Sequence, residues 1–165
     1  MGPQIHRASA ADWRQFRRIR LEMLADSPHA FGDALAEAEG WNDHQWQIQT
    51  ASRTMPDSLL LAAVDEQRWV GTMGARHYLT PTPGIWLVDV YLSPLHRGSG
   101  LASELLAEVE RWAEQREALQ LFLDVHEQAH AARAFYRRHG FAETGQTKPY
   151  VLDAAQHEIE MVKQL

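Results

Sequence analysis

Apolar residues recur along this chain at two periods, and the switches between them divide it into elements. Trp13, Phe16, Ile19 and Met23 follow helical spacing. A helix is therefore predicted from the cap Ser9 through about Ala25, with Asp12 in its first turn. Gln4 to Arg7 ahead of it is a short strand candidate. Ser27-Pro28 breaks the helix. A second helical piece, roughly His29 to Glu39, carries Phe31, Ala34 and Leu35 with the acids Glu37 and Glu39, and Gly40 ends it. A third starts at Asn42 or Asp43 and includes Trp46.

The period then shortens. Ser58 to Val64 is an apolar strand, Asp65-Glu66-Gln67 a turn, and Arg68 to about Tyr78 its hairpin partner. Gly71 and Gly74 inside the second strand predict a bulge or a close backbone approach. Thr80 to Gly84 is a loop. Ile85 to Leu92 is apolar almost throughout, the pattern of a central strand covered on both faces, and Asp89 is the lone charge in it. A helix follows from about Ser99 to Glu117, burying Leu101, Leu105, Val109 and Trp112. Leu119 to Val125 is the next strand, so strand, helix and strand predict a parallel pair. Another helix covers about Ala129 to His139 and stops at Gly140. Phe141 to Gln146 and about Tyr150 to Lys163 are the last strands, with Asp153-Ala154-Ala155-Gln156 as the turn. The expected fold class is α+β (mixed α/β): one domain over 1–165, about seven strands, with helices on both faces.

Composition narrows the function. A chain of 165 residues can bury a sizeable core. A formal charge of −6 argues against a nucleic-acid partner. The absence of cysteine removes disulfides and thiolate nucleophiles. No apolar run is long enough for a membrane span, and the N-terminus lacks a secretion-signal pattern. The expectation is a cytoplasmic protein with no membrane partner.

The stretch with the most chemistry is Val90 to Ala102. It reads as a strand end, a glycine turn and a helix start. Glycines let the backbone approach a ligand closely. The free N–H groups and positive dipole end of the helix then form an anion site, above all for phosphate. Arg97-Gly98-Ser99-Gly100-Leu101-Ala102 fits Gln/Arg-x-x-Gly-x-Gly/Ala and resembles the acetyl-CoA pyrophosphate signature of the GCN5-related N-acetyltransferases, the GNAT family. Tyr91-Leu92-Ser93-Pro94 is similar to the family's strand-four ending. Leu123-Asp124-Val125 with Ala132, Phe135-Tyr136 and Gly140-Phe141 resembles its next strand and helix. Glu160-Met161 is similar to its last strand. Asp89-Val90-Tyr91 resembles a step of the diamine-acetyltransferase-like branch.

The resemblance implies direct acetyl transfer from acetyl-CoA to a primary amine, with a small amine favoured by the Asp89 step. It implies a cofactor site on Tyr91, Leu92, Arg97, Gly98, Ser99, Gly100, Leu101, Ala102, Ala129 and Tyr136. Ser99 and Ser103 each either give a hydroxyl to phosphate or cap the helix start. Tyr136 is expected to protonate the departing thiolate, and the Leu92 N–H to serve the oxyanion. An amine attacks only when neutral, so a base or a dry pocket must remove its proton. Asp89 is one candidate base. Its other reading is a carboxylate bonded to an arginine or to loop backbone, fixing the neighbouring segment. Glu37 and Glu39 are candidates for acceptor binding, against the reading of a solvated helix face. Arg97 is read as a phosphate ligand, against a surface salt bridge. Two residues depart from the family pattern. Its pantetheine-holding Asn falls on Ala129, and the branch's Glu before the Asp is Val88.

Three other readings compete. His126-Glu127-Gln128-Ala129-His130 matches the His-Glu-x-x-His zinc pattern, but it begins at a strand end, outside the required i,i+4 helical geometry. No metal is expected. Gly98-x-Gly100 lacks the third glycine of a dinucleotide fingerprint, since Ser103 holds that place. A non-catalytic CoA-binding regulatory module would share the glycine turn. Within the enzyme reading, a peptide acceptor at a protein N-terminus or lysine is the alternative to a small amine. Homodimerisation is common in the family.

Overall fold

The computed structural model describes residues 2–165. Seven strands form one mixed sheet in the order β1-β2-β3-β4-β5-β7-β6. They are β1 Gln4–Arg7, β2 Ser58–Asp65, β3 Arg68–Tyr78, β4 Gly84–Leu92, β5 Gln120–His126, β6 Ala142–Tyr150 and β7 Asp153–Gln164. The helices are α1 Trp13–Asp26, α2 Leu35–Glu39, α3 Asp43–Arg53, α4 Leu101–Glu114 and α5 His130–Arg138. The expected α+β architecture is observed.

Alternation along β2 assigns the two faces. Leu59, Leu61 and Ala63 join the core beneath α4, with Leu105, Val109 and Trp112. Leu60 and Ala62 join a second core with Phe16, Ile19 and Met23 of α1 and Trp46 of α3. The sheet is thus covered on both sides, which explains why β2 reads as an unbroken apolar run. Each fully buried Leu or Ile contributes about 1.5–3 kcal/mol. The 3₁₀ turn Ala10–Asp12 that leads into α1, and α3 itself, each start on a side-chain cap. Ser9 and Asp12 form a reciprocal capping box, as do Asn42 and Gln45.

Two segments differ from the sequence reading. Between Pro28 and Ala34 there is one 3₁₀ turn, Pro28–Ala30, and then a bent, non-helical stretch over 31–33. The carbonyls of Pro28 and Phe31 accept from the Tyr150 hydroxyl at 3.0 and 2.7 Å rather than from helical amides. A tertiary contact therefore takes what a helix would have used. At the other end, β6 continues to Tyr150 and the turn falls at Val151-Leu152. Ala154 to Gln156, expected in the turn, lie in β7 at a register shift, since Tyr150 pairs with Asp153 but Pro149 with His157. Pro149 is tolerated because β6 is an edge strand.

The parallel pair β4–β5 is short. Only Ile85↔Leu121 and Trp86↔Phe122 are in register, and beyond them the strands part. On its other side β4 carries a bulge: Thr72 pairs with Tyr91 but Gly74 with Val88. One β3 residue thus faces two on β4, Asp89 and Val90, and Asp89 takes φ +54°. The close approach expected at the β3 glycines is present. A Cβ on Gly71 would lie 2.9 Å from the Tyr91 carbonyl oxygen and closer still to the Leu92 side chain. Gly71→Ala should therefore cost about 1–3 kcal/mol of stability, read as a lower urea midpoint at unchanged slope.

Candidate active site

The parting of β4 from β5 leaves a cavity of about 550 Å³. Its walls come from both faces of the sheet. Ala129, Ala132 and Tyr136 of α5 line one end, and Arg20 of α1 with Ala30 to Gly32 line the other. Val88, Asp89 and Val90 line the β4 side, and Asp124 to His126 the β5 side. The cavity therefore passes through the sheet. Thr80 to Thr82 complete the rim. Trp86 also reaches it, stacked on Phe122 at 5.1 Å, with its Nε1–H donating to the Thr82 carbonyl. Trp41, Trp46 and Trp69 pack in or against the core around α1 instead.

Beyond the end of β4 the chain turns at Gly98 and Gly100, with φ +74° and +87°. Gly100 is the N-cap of α4 in a left-handed conformation. A Cβ at either glycine would meet nothing within 4 Å, so the turn faces open space. Among the described residues nothing accepts from the N–H groups of Gly98, Ser99, Gly100 or Ala102. The Leu101 N–H has a long contact of 3.4 Å to Ser99 Oγ. Ser103 Oγ lies 2.9 Å from His139 Nε2. The turn does not line the cavity, but unpaired amides at a helix start with open space before them fit a diphosphate.

Along β4 the main chain fits a carbonyl ligand as well. The Ser93 N–H donates to the Val70 carbonyl at 2.8 Å. Strand alternation then turns the N–H and C=O of Leu92 the other way, toward the parted side. The Leu92 carbonyl accepts from Arg97 Nε at 3.0 Å. Arg97 also pairs with Asp26. Of the two roles weighed for Arg97, the structure displays the ion pair. The Tyr91 side chain points into the α1 core and donates to Glu22, so it does not line the cavity.

Tyr136 is buried against Phe135 and Phe141, and burial pushes its phenol well above the ordinary value. It therefore stays protonated and lines the cavity with a proton to give. Ala129 begins α5 and also lines the cavity, with a methyl where the family pattern has an amide.

Asp89 takes the second of its two readings. Arg20 donates to one carboxylate oxygen and Arg53 Nε to the other, each at 2.9 Å. Its side chain is 7% exposed and Arg20's is 5%. Burial alone would raise its pKa, but the two guanidiniums hold it down to about 2. A carboxylate so occupied is a poor acceptor for an ammonium proton, which counts against the expected base role. Glu37 and Glu39 lie exposed on α2, outside the cavity walls. Besides Asp89, the acids that do line it are Asp124, Glu158 and Glu160, with Lys148 among them. Sequence reading missed these as a group. The available signal was the alternation of Asp124 with His126 and of Glu158 with Glu160, which puts each pair on one face of its strand.

His126 closes β5 and His130 opens α5, so they do not share a helix face. Both His126 nitrogens are occupied, Nδ1 by the Gln128 N–H at 3.1 Å and Nε2 by Gln156 at 2.6 Å.

The sequence signature of the acetyltransferase (GNAT) family matches residues 13–141. The chain belongs to that family. It is accordingly an acetyl-CoA-dependent N-acetyltransferase, with acetyl-CoA as co-substrate. No curated protein matches it. Solved structures share the fold at low identity. PaiA N-acetyltransferase from Thermoplasma acidophilum, in complex with coenzyme A, is 19% identical with a TM-score of 0.72 over 100% of both chains. Ribosomal-protein-alanine N-acetyltransferase from Brucella melitensis is 24% identical with a TM-score of 0.77, covering 98% of this chain and 99% of its own. A GNAT-family acetyltransferase from Streptococcus pneumoniae is 18% identical with a TM-score of 0.80, covering 99% of each. None of these supports placement in the diamine-acetyltransferase-like branch, and the Asp89 step that suggested it belongs to an ion-pair network.

Replacing Asp89 tests that network. Asp89→Asn leaves Arg53 without its carboxylate and Arg20 with Asp33 alone, and should cost roughly 3–5 kcal/mol in chemical denaturation. The folded protein keeps Asp89 ionised down to about 2, against 3.8 for an ordinary aspartate. Its stabilisation is therefore complete above the upper value and lost as pH falls through the lower. The variant should lack that part of the acid transition.

Proposed function

We propose that the cavity and the glycine turn together move the acetyl group of acetyl-CoA directly to a primary amine, with a small cationic amine as acceptor. The observation that carries this reading is the passage through the sheet beside a run of unpaired helix-start amides. Bound acetyl-CoA supplies an activated thioester. The amides of Gly98 to Ala102 hold its diphosphate, and the Leu92 N–H donates to the carbonyl oxygen as negative charge grows there. Tyr136 delivers its proton to the departing thiolate, since its raised pKa keeps the phenol intact across the working range.

The acceptor arrives from the face that carries Arg20, Phe31 and Lys148. Asp124, Glu158 and Glu160 make that end acidic, which favours a cation. Arg20 adds no free charge, because Asp33 and Asp89 already neutralise it. A volume of about 550 Å³ suits a small molecule. The alternative, a peptide amine, draws on the likeness to the ribosomal-protein-alanine N-acetyltransferase of Brucella melitensis.

A thiol-release assay over a panel of amines and N-terminal peptides tests the reading. Turnover with small cationic amines is expected, and turnover with peptides alone would reverse the acceptor assignment. Gly100→Val should raise the acetyl-CoA Kd at least tenfold by calorimetry, since a β-branched residue resists φ +87° and its side chain fills the approach to the amides. Tyr136→Phe should lower kcat about a hundredfold with little change in KM. An unchanged kcat would remove the acid role.

A further inference from the structure

Removal of the acceptor's proton needs a carboxylate or imidazole with a free lone pair facing the cavity. The side chains on the acceptor-facing wall can be taken in turn. Asp89 gives one oxygen to each of two arginines. Asp124 accepts from Lys148 Nζ at 2.5 Å. Glu160 accepts from the Thr144 hydroxyl at 2.9 Å. His126 has both ring nitrogens in hydrogen bonds. Glu158 differs. Asp124 and Glu160 each have one oxygen engaged, whereas neither Glu158 oxygen accepts a hydrogen bond among the described residues; its nearest approach is Lys148 Nζ, 3.5 Å from Oε2.

Register explains why Glu158 stands where it does. It is directly opposite His126 on β5 and opposite Lys148 on β6. Directly opposed residues share a face, so these side chains stand on the same side of the sheet. Tyr150 carries that face up to the carbonyls of Pro28 and Phe31. Lys148 also shows that this wall accepts an alkylammonium, because its Nζ lies between Asp124 and Glu158.

We propose that Glu158 is the group that takes the proton from the acceptor's ammonium, at a subsite shared with Asp124 that accepts primary alkylammonium ions. This rests on the acetyl-transfer reading above. The ammonium gives one proton to the Glu158 carboxylate and becomes a neutral amine. Its nitrogen lone pair forms the N–C bond to the acetyl carbon, and the C–S bond breaks with its electron pair going to sulfur. The thiolate takes the Tyr136 proton. The second nitrogen proton returns to the tyrosine oxygen, and Glu158 passes its own proton to solvent.

The charge environment agrees. Burial raises the Glu158 pKa above the ordinary glutamate value, and Asp124 adds to the rise. Lys148 and His126 oppose it. Tyr150 on β6 and His29, 5.6 Å from His126, stand behind this wall, and Arg20, Tyr78, Asp89 and Glu160 face the same cavity. A higher pKa makes Glu158 a better proton acceptor than an exposed carboxylate, provided it is ionised at the working pH. The activity it supports is therefore present above its pKa and lost as pH falls through it.

The test compares wild type with Glu158→Gln, each first shown by calorimetry to bind acetyl-CoA with the same Kd. With an alkylamine protonated at assay pH, the variant should lose about a hundredfold in kcat/KM and the acidic limb of its pH profile. With an amine of low pKa, already neutral at that pH, the loss should shrink below tenfold. Glu158→Asp should recover part of the rate. An unchanged pH profile, or an equal loss with both amines, would overturn the role of Glu158 while leaving acetyl transfer intact. A wild-type protein that binds acetyl-CoA but releases no thiol with any amine would instead overturn the acetyl-transfer reading itself.

Discussion

A single buried carboxylate sets the shape of this molecule's centre. Asp89 projects from a bulge at φ +54° and is held by guanidiniums from two different helices. An unpaired charge at that depth would be strongly disfavoured. The arginines and the aspartate are therefore obliged to stay together, and so are α1, α3 and β4. Thr72 adds a bond from its hydroxyl to the Asp89 carbonyl at 2.7 Å. With the bulge fixed, β4 leaves β5 after Trp86, and the passage between them follows from the geometry of the strands.

The two ends of that passage use different physics. At the turn, main-chain amides present donors, and the two glycines matter for what they lack. At the other end, side chains present the charges, and these come from β5, β6 and β7. Tyr136 stands between, kept neutral by its apolar surroundings.

Much of this was legible in the sequence. The two periods gave the strands and helices, and Arg97 to Ala102 identified the turn, because both are local patterns. Where tertiary contacts overruled local preference, the reading failed. The stretch after Pro28 has helical spacing, but Tyr150, some 120 positions later, takes its carbonyls. The pairing of Asp89 was foreseen in kind, yet its partners lie 69 and 36 positions away, and nothing in the spacing singles out Arg20 or Arg53. Glu37 and Glu39 stood in a helical piece near the expected acceptor region, but α2 carries them into solvent. Glu158 and Asp124 were invisible as a pair because only strand register brings them together.

The Tyr150 hydroxyl ties the β6–β7 hairpin to the chain after α1. Val151 and Leu152 at the hairpin tip are exposed, and Val151 rests on Gly32. The hairpin and the Pro28–Gly32 segment thus form one movable unit in an evolutionary sense. A side-chain exchange there reshapes one end of the passage, while the backbone of the glycine turn at the start of α4 lies outside the unit and is left unaltered.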